Sequence, residues 1–187
     1  MEWAVGVPGT VGGAVCTNAG AFGSATWDCV DYVEVITADG SRRRLAPADV
    51  AYGYRFAELP VERPFAVTEV ALRLTGSDTG RVHALTEEYK SRRGATQPVG
   101  AASAGSVFKN PPEGPSAGEL IDKGGLKGLT RGEAAVSSKH ANFIVNEGGA
   151  TAADIYGLIE EVREKVRTEF GVTLELEIQL VGDFDRG

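Results

Sequence analysis

Apolar residues from Val30 to Thr37 suit a strand, and Ala38-Asp39-Gly40 supplies the turn chemistry for a hairpin into Ser41 through Leu45. A second strand is predicted at Phe65 to Leu74, where Val70, Leu72 and Leu74 alternate with Glu69, Ala71 and Arg73. After Gly76 the period changes. Val82, Leu85 and Tyr89 share one helical stripe that ends at Arg92, Arg93 and Gly94, so a domain boundary is expected near Ser77, giving domains 1–76 and 77–187. The clearest helix runs from Thr151 to Phe170, with Ile155, Leu158, Ile159, Val162 and Val166 on one face. Thr151 is its N-cap, Asp154 lies in the first turn and Gly171 marks the stop. Beyond it, Val172, Leu174, Leu176, Ile178 and Leu180 alternate with Thr173, Glu175, Glu177 and Gln179, which predicts a half-buried strand with two carboxylates on its polar face. Strands with a helix lying on them make the class α+β.

The 25 glycines are concentrated at Gly6, Gly9, Gly12, Gly13, Gly20 and Gly23, and again at Gly124, Gly125 and Gly128, where backbone is expected to come close to something. No internal repeat or low-complexity linker interrupts the 187 residues, and 42% hydrophobic content is enough to build a core. A net charge of -7 gives no reason to expect nucleic acid or an anionic membrane as partner. Charge is unevenly spread: residues 90–140 carry 8 basic and 4 acidic groups, a locally positive stretch suited to a small anion such as a nucleotide sugar, although scattered surface cations account for it equally well. Cys16 and Cys29 have no metal-ligand spacing, so free thiols and no metal site are expected. The N-terminal residues have neither a basic nor an apolar leader pattern, and no apolar run reaches membrane length, which points to a cytoplasmic protein.

Three blocks carry candidate chemistry. Gly6-Val7-Pro8-Gly9-Thr10-Val11-Gly12-Gly13, continuing to Asn18-Ala19-Gly20, reads as a loop whose backbone N–H groups are bare enough to meet a diphosphate or a flavin edge. It has neither Rossmann spacing nor a P-loop lysine, and turn or bulge roles explain most glycines. In Tyr54-Arg55-Phe56, flanking aromatics could hold a guanidinium for bidentate pairing with a carboxylate, but on composition alone a surface or stacking arginine is the readier account. In Ala104-Gly105-Ser106-Val107-Phe108-Lys109-Asn110-Pro111, Ser106 follows a glycine with Lys109 and Asn110 close by, and no histidine beside it suggests an activated acyl-transfer nucleophile.

The ordered set GVPGTVGGAVCTNAGAFG, YR, AGSVFKNP, KHANFIVN and LELEIQLVG resembles the UDP-N-acetylenolpyruvoylglucosamine reductases, flavoenzymes of peptidoglycan synthesis. The resemblance implies the C-terminal part of a FAD-binding α+β domain followed by a smaller α+β substrate-binding domain. It implies FAD as cofactor, NADPH as reductant and UDP-N-acetylglucosamine enolpyruvate as substrate, in a monomer when full length that serves cell-wall biogenesis. Hydride reaches the terminal enol carbon, and the carbon α to the carboxylate then takes a proton. By position, Ser106 matches the family's proton donor, Arg55 the arginine at the substrate carboxylate, and Glu177 the assisting glutamate of the closing strand, chosen over Glu175 by its spacing from Gly182. Lys109 and Asn110 match substrate-binding positions, and Gly9, Thr10, Gly12, Gly13, Asn18, Ala19 and Gly20 match cofactor-binding ones. His140 and Asn142 could line the same cleft.

Three features depart from the family pattern. Ala57 stands where many relatives carry serine, and the 51 positions from Arg55 to Ser106 leave no space for an extra tyrosine-bearing loop, as in the second subtype. The Gly-Gly-Ser-Asn phosphate loop that normally precedes the PGTVGG block does not occur in these residues, so weak FAD binding by the chain alone is expected. Two other readings compete: a FAD-linked oxidase, disfavoured by the AGSVFKNP block, and a non-catalytic remnant that binds a UDP-sugar or a partner chain.

Overall fold

The computed structural model describes residues 1–183. It is an α+β protein, and its packing divides it into one unit from Met1 to Arg92 and a second from Arg93 onward.

In the first unit a short helix α1 (Val11–Thr17) is followed by two small strands, β1 (Gly20–Ala21) and β2 (Ser24–Ala25). The expected hairpin follows as β3 (Val30–Thr37) and β4 (Arg42–Leu45). Its turn is tied by Asp39, whose carboxylate accepts from the Thr37 hydroxyl at 2.5 Å, from the Ser41 N–H at 3.1 Å and from the Ser41 hydroxyl at 3.0 Å. Gly40 has a φ of 82°, the conformation for which glycine is the ordinary choice. A tight hairpin, β5 (Ala51–Gly53) and β6 (Phe56–Glu58), precedes β7 (Phe65–Leu72), which pairs antiparallel with β3 to complete a sheet of order β4-β3-β7. Val15 of α1 and the strand residues Val33 and Val35 are fully buried together with Trp27, so α1 closes the apolar face of that sheet. Gly12 permits this approach, because a Cβ there would stand 3.3 Å from the Val67 side chain.

The long helix α2 (Thr79–Thr96) follows the predicted stripe, with Val82, Leu85 and Tyr89 half-buried and His83 exposed. Tyr89 stacks on Phe22 at 4.3 Å, which ties most of this helix to the first unit.

The second unit is a four-stranded antiparallel sheet of order β8-β11-β10-β9, formed by β8 (Ala102–Ser106), β9 (Thr130–Arg131), β10 (Ala134–Val136) and β11 (Phe143–Asn146). Helices α3 (Ala117–Lys123) and α4 (Ala152–Phe170) cover it. Leu158, Ile159, Val162 and Val166 of α4 are all within 1% of complete burial, so the predicted apolar stripe is the packed one. Thr151 caps α4 through the Asp154 N–H at 3.1 Å, and Asp154 returns the contact to the Thr151 N–H at 2.9 Å, a reciprocal cap. The polar face carries the ion pairs Arg163–Glu160, Lys165–Glu161 and Arg167–Glu164.

Two expectations need correction. The glycine-rich block is not a loop throughout: beyond Gly9 it winds into α1, because Thr10 accepts from the Gly13 N–H at 3.1 Å and starts the helix. The segment from Val172 to Leu180 is not a strand either. It makes a single antiparallel bridge, Leu176 to Phe108, flanked by Lys109 N–H to the Glu175 carbonyl and Glu177 N–H to the Val107 carbonyl, each 2.8 Å. Asn142 takes the N–H groups of Val107 and Phe108, and Pro111 and Pro112 have none to offer, so the ladder cannot lengthen.

Candidate active site

Ser106 closes β8 opposite Phe143 of β11, directly after Gly105, whose φ of 83° turns the chain there. Among the described residues no hydrogen bond holds the Ser106 hydroxyl, and its side chain is half-buried. The chain immediately beyond is fixed by Asn142, which is 4% exposed. Its carboxamide accepts from the Phe108 N–H at 2.9 Å and donates to the Phe108 carbonyl at 2.8 Å, and its backbone carbonyl accepts from the Val107 N–H at 2.9 Å. Three bonds from one residue thus set the path between Ser106 and Lys109.

Glu177 joins this block through its backbone, since its N–H donates to the Val107 carbonyl. Glu177 is half-buried, whereas the Glu175 side chain is 77% exposed and pairs with Lys109 at 3.7 Å. The two glutamates that the sequence leaves in competition are therefore different in kind: one neutralises Lys109 at the surface, and the other sits against the strand end that carries Ser106. Asn110 faces a structural duty, because its side-chain oxygen accepts from the Ala117 N–H at 3.1 Å at the start of α3. His140 accepts from the Asn142 N–H through Nδ1 at 3.2 Å and meets the Phe143 ring edge-on at 4.9 Å. Burial, aided by the nearby Lys127 charge, holds its imidazole below the usual histidine range, so it is neutral at pH 7.

Arg55 belongs to the first unit. With Tyr54 it forms the two-residue turn between β5 and β6, and its φ of 60° puts a non-glycine residue in the left-handed region. The guanidinium lies 5.0 Å from the Tyr54 ring centre, a cation–π contact at the tip of the hairpin. Tyr52, Tyr54 and Phe56 are all exposed along this hairpin.

The glycine-rich block shows which of its members the fold itself requires. A Cβ at Gly20 would stand 2.5 Å from the Ser24 carbonyl, and one at Gly13 would stand 3.3 Å from the Thr10 hydroxyl. The Ala19 carbonyl accepts from both the N–H and the hydroxyl of Thr26, at 2.9 and 2.8 Å. Asn18 is buried with its carboxamide engaged inside the unit. Gly9 differs: it is exposed, has a φ of 110° and has open space where a Cβ would be. From Trp3 to Trp27 no residue carries a charged side chain, and Gly9 and Thr10 are exposed there, whereas the Gly13 N–H is already spent on the Thr10 hydroxyl. Exposed, uncharged backbone at Gly9 and Thr10 is compatible with a nucleotide phosphate.

Residues 97–181 match the family model of the UDP-N-acetylenolpyruvoylglucosamine reductase C-terminal domain, and residues 1–46 match an FAD binding domain. The reductase of that name from Alkalilimnicola ehrlichii is 48% identical over 182 residues, and that from Gloeobacter violaceus is 43% identical over 183 residues. Each alignment takes in 97% of this chain. Along nearly its whole length the chain is similar to UDP-N-acetylenolpyruvoylglucosamine reductases. Its fold agrees with that similarity: the crystal structure of the UDP-N-acetylenolpyruvylglucosamine reductase from Thermus caldophilus superposes with a TM-score of 0.82 at 39% identity, over 95% of this chain and 62% of that one. The chain spans about 60% of the length of the family relatives it matches.

Nothing in the residue pattern singles out Asn142 beyond cleft lining, yet it organises the Ser106 block. Helix α3 also escaped notice, although its signal was present: Ser116 stands three residues before Glu119, and its hydroxyl accepts from the Glu119 N–H at 3.2 Å.

Proposed function

We propose that this chain carries the substrate-binding and proton-donating part of an NADPH-dependent, FAD-mediated reductase that converts UDP-N-acetylglucosamine enolpyruvate to UDP-N-acetylmuramate in the cytoplasm, for peptidoglycan synthesis and hence cell shape and division. The observation that carries the reading is the bond from the Glu177 N–H to the Val107 carbonyl, which ties the glutamate to the strand end bearing Ser106. It is supported by the match to the reductase C-terminal domain model and by the exposed, uncharged backbone at Gly9 and Thr10.

When bound, FAD reduced by NADPH would supply hydride to the terminal enol carbon, and Gly9, Thr10, Gly12, Gly13, Ala19 and Gly20 would hold part of it, while the Asn18 carboxamide is taken up by Gly53 and Trp27. The chain's own side chains manage the charge that this leaves on the substrate. Arg55 pairs with the substrate carboxylate in a bidentate fashion and stabilises the enediolate that spreads from the α carbon. The Ser106 hydroxyl gives that carbon its proton. Serine is a poor acid in water, but a carbanion in a closed site is basic enough to make the transfer favourable. Glu177 assists beside it, and Lys109, balanced by Glu175 at 3.7 Å, supplies a cation within reach of the anionic substrate.

The test is NADPH oxidation by the chain with FAD, in the presence and absence of UDP-N-acetylglucosamine enolpyruvate, with the product identified by mass. Substrate-dependent oxidation yielding a product heavier by two hydrogens supports the reading. Binding of the UDP-sugar without turnover favours a non-catalytic binding role instead.

A further inference from the structure

Asn18 is 6% exposed and ends α1 in the left-handed conformation, at φ 46° and ψ 54°. Its carboxamide donates to the Gly53 carbonyl at 2.8 Å and accepts from the Trp27 N–H at 3.1 Å. Gly53 ends β5 and pairs with Phe56, so the Asn18 bond falls at the root of the turn formed by Tyr54 and Arg55. Trp27 braces the same hairpin: its indole N–H donates to the Val15 carbonyl at 2.9 Å, and its ring stacks on Tyr52 at 5.1 Å. Arg55 occupies a backbone conformation that a non-glycine residue keeps only when its surroundings over-determine it. Asn18 and Trp27 are among those surroundings.

We propose that Asn18 is a positioning residue for Arg55. Its carboxamide locks the base of the hairpin so that the guanidinium is presented to the substrate carboxylate, and the side chain itself makes no contact with the flavin. This rests on the reading of Arg55 as the carboxylate-binding arginine. One residue would thereby link the end of the glycine-rich block to the arm that grips the substrate. The substitution Asn18→Asp keeps the acceptor for the Trp27 N–H and sets an oxygen against the Gly53 carbonyl in place of a donor. Asn18→Gly removes both bonds while remaining at ease at a φ of 46°.

The experiment is calorimetric titration of the full chain, with FAD added, using UDP-N-acetylglucosamine enolpyruvate and, separately, UDP-N-acetylglucosamine, which lacks the carboxylate. The wild type, Asn18→Asp, Asn18→Gly, Arg55→Ala and the double variant Asn18→Gly/Arg55→Ala are compared. Both Asn18 variants are expected to weaken enolpyruvyl-ether binding about tenfold, the scale of one well-placed polar contact, and to leave FAD and UDP-N-acetylglucosamine affinities unchanged. The double variant is expected to bind no more weakly than Arg55→Ala alone, because the two act as a unit. Four results overturn the proposal: additive losses, equal loss of both sugars, a selective loss of FAD, or failure of both Asn18 variants to melt cooperatively. If Arg55→Ala weakens ether binding and the Asn18 variants do not, Asn18 has no such role and the reading of Arg55 survives. If the wild type shows no preference for the ether, or keeps it in Arg55→Ala, the reading of Arg55 fails and this inference falls with it.

Discussion

Ser106 and the charged residues around it lead to separable expectations. Replacing Ser106 by alanine removes one hydroxyl from the end of β8 without touching a bond that the fold uses. Stopped-flow absorbance is therefore expected to find flavin reduction by NADPH within about twofold of wild type, and reoxidation by the enolpyruvyl substrate slowed by about 10²-fold or more. Equal slowing of both half-reactions would remove Ser106 as proton donor. Asp39 gives a pH signature of its own. The Thr37 hydroxyl, with the Ser41 N–H and hydroxyl, holds its carboxyl down at about 2, below the ordinary 3.8. A carboxyl depressed in the folded state stabilises the fold above its unfolded value, and this contribution is lost as pH falls from 3.8 towards 2. Asn at position 39 is expected to flatten that part of the stability–pH curve, as read by urea melts at pH 2 to 5. His140 has the same sign: it is depressed by burial, so its contribution is complete above pH 6.5 and fades below. A ring-proton NMR titration that places His140 above 6.5 contradicts this.

Elements differ in how openly their sequences declare them. Helix α4 was legible because its period, its reciprocal Thr151–Asp154 cap and Gly171 agree, and Gly171 does adopt a φ of 70°. The hairpin of β3 and β4 was legible for the same reason, since turn chemistry and alternation point one way. The segment around Leu176 misled because alternation reports which side chains are buried, not whether a neighbouring backbone is free to pair. Helix α1 misled because its glycines carry a weak helix preference, which the Thr10 cap and burial of Val15 override. At the candidate site the residue types were readable, but the hydrogen bonds that position them were not. Asn142 reaches Phe108 across 34 positions, and a lone asparagine in a sequence says nothing of such a partner. Asn142→Ala leaves both backbone groups of Phe108 buried and unmet, and is expected to cost about 2–4 kcal/mol in chemical denaturation. A loss below about 0.5 kcal/mol would mean that water takes over both bonds. Thr151→Ala at the head of α4 is expected to cost about 1 kcal/mol.

At the scale of the whole chain, the two units divide the proposed labour. The first holds the uncharged glycine-rich run and the Arg55 hairpin, and the second holds Ser106, Lys109 and Glu177. The locally basic stretch from residue 90 to 140 belongs almost wholly to the second unit, and Lys109, Lys123 and Lys127 within it are each paired with a carboxylate. The proposed reduction delivers hydride and proton to different carbons. Its most direct test is turnover of UDP-N-acetylglucosamine enolpyruvate with FAD and unlabelled NADPH in deuterium oxide, with the product read by NMR. One solvent deuterium on the carbon α to the carboxylate, and none on the new methyl group, is the predicted result; solvent deuterium on the methyl group, or no reduced product at all, would contradict it.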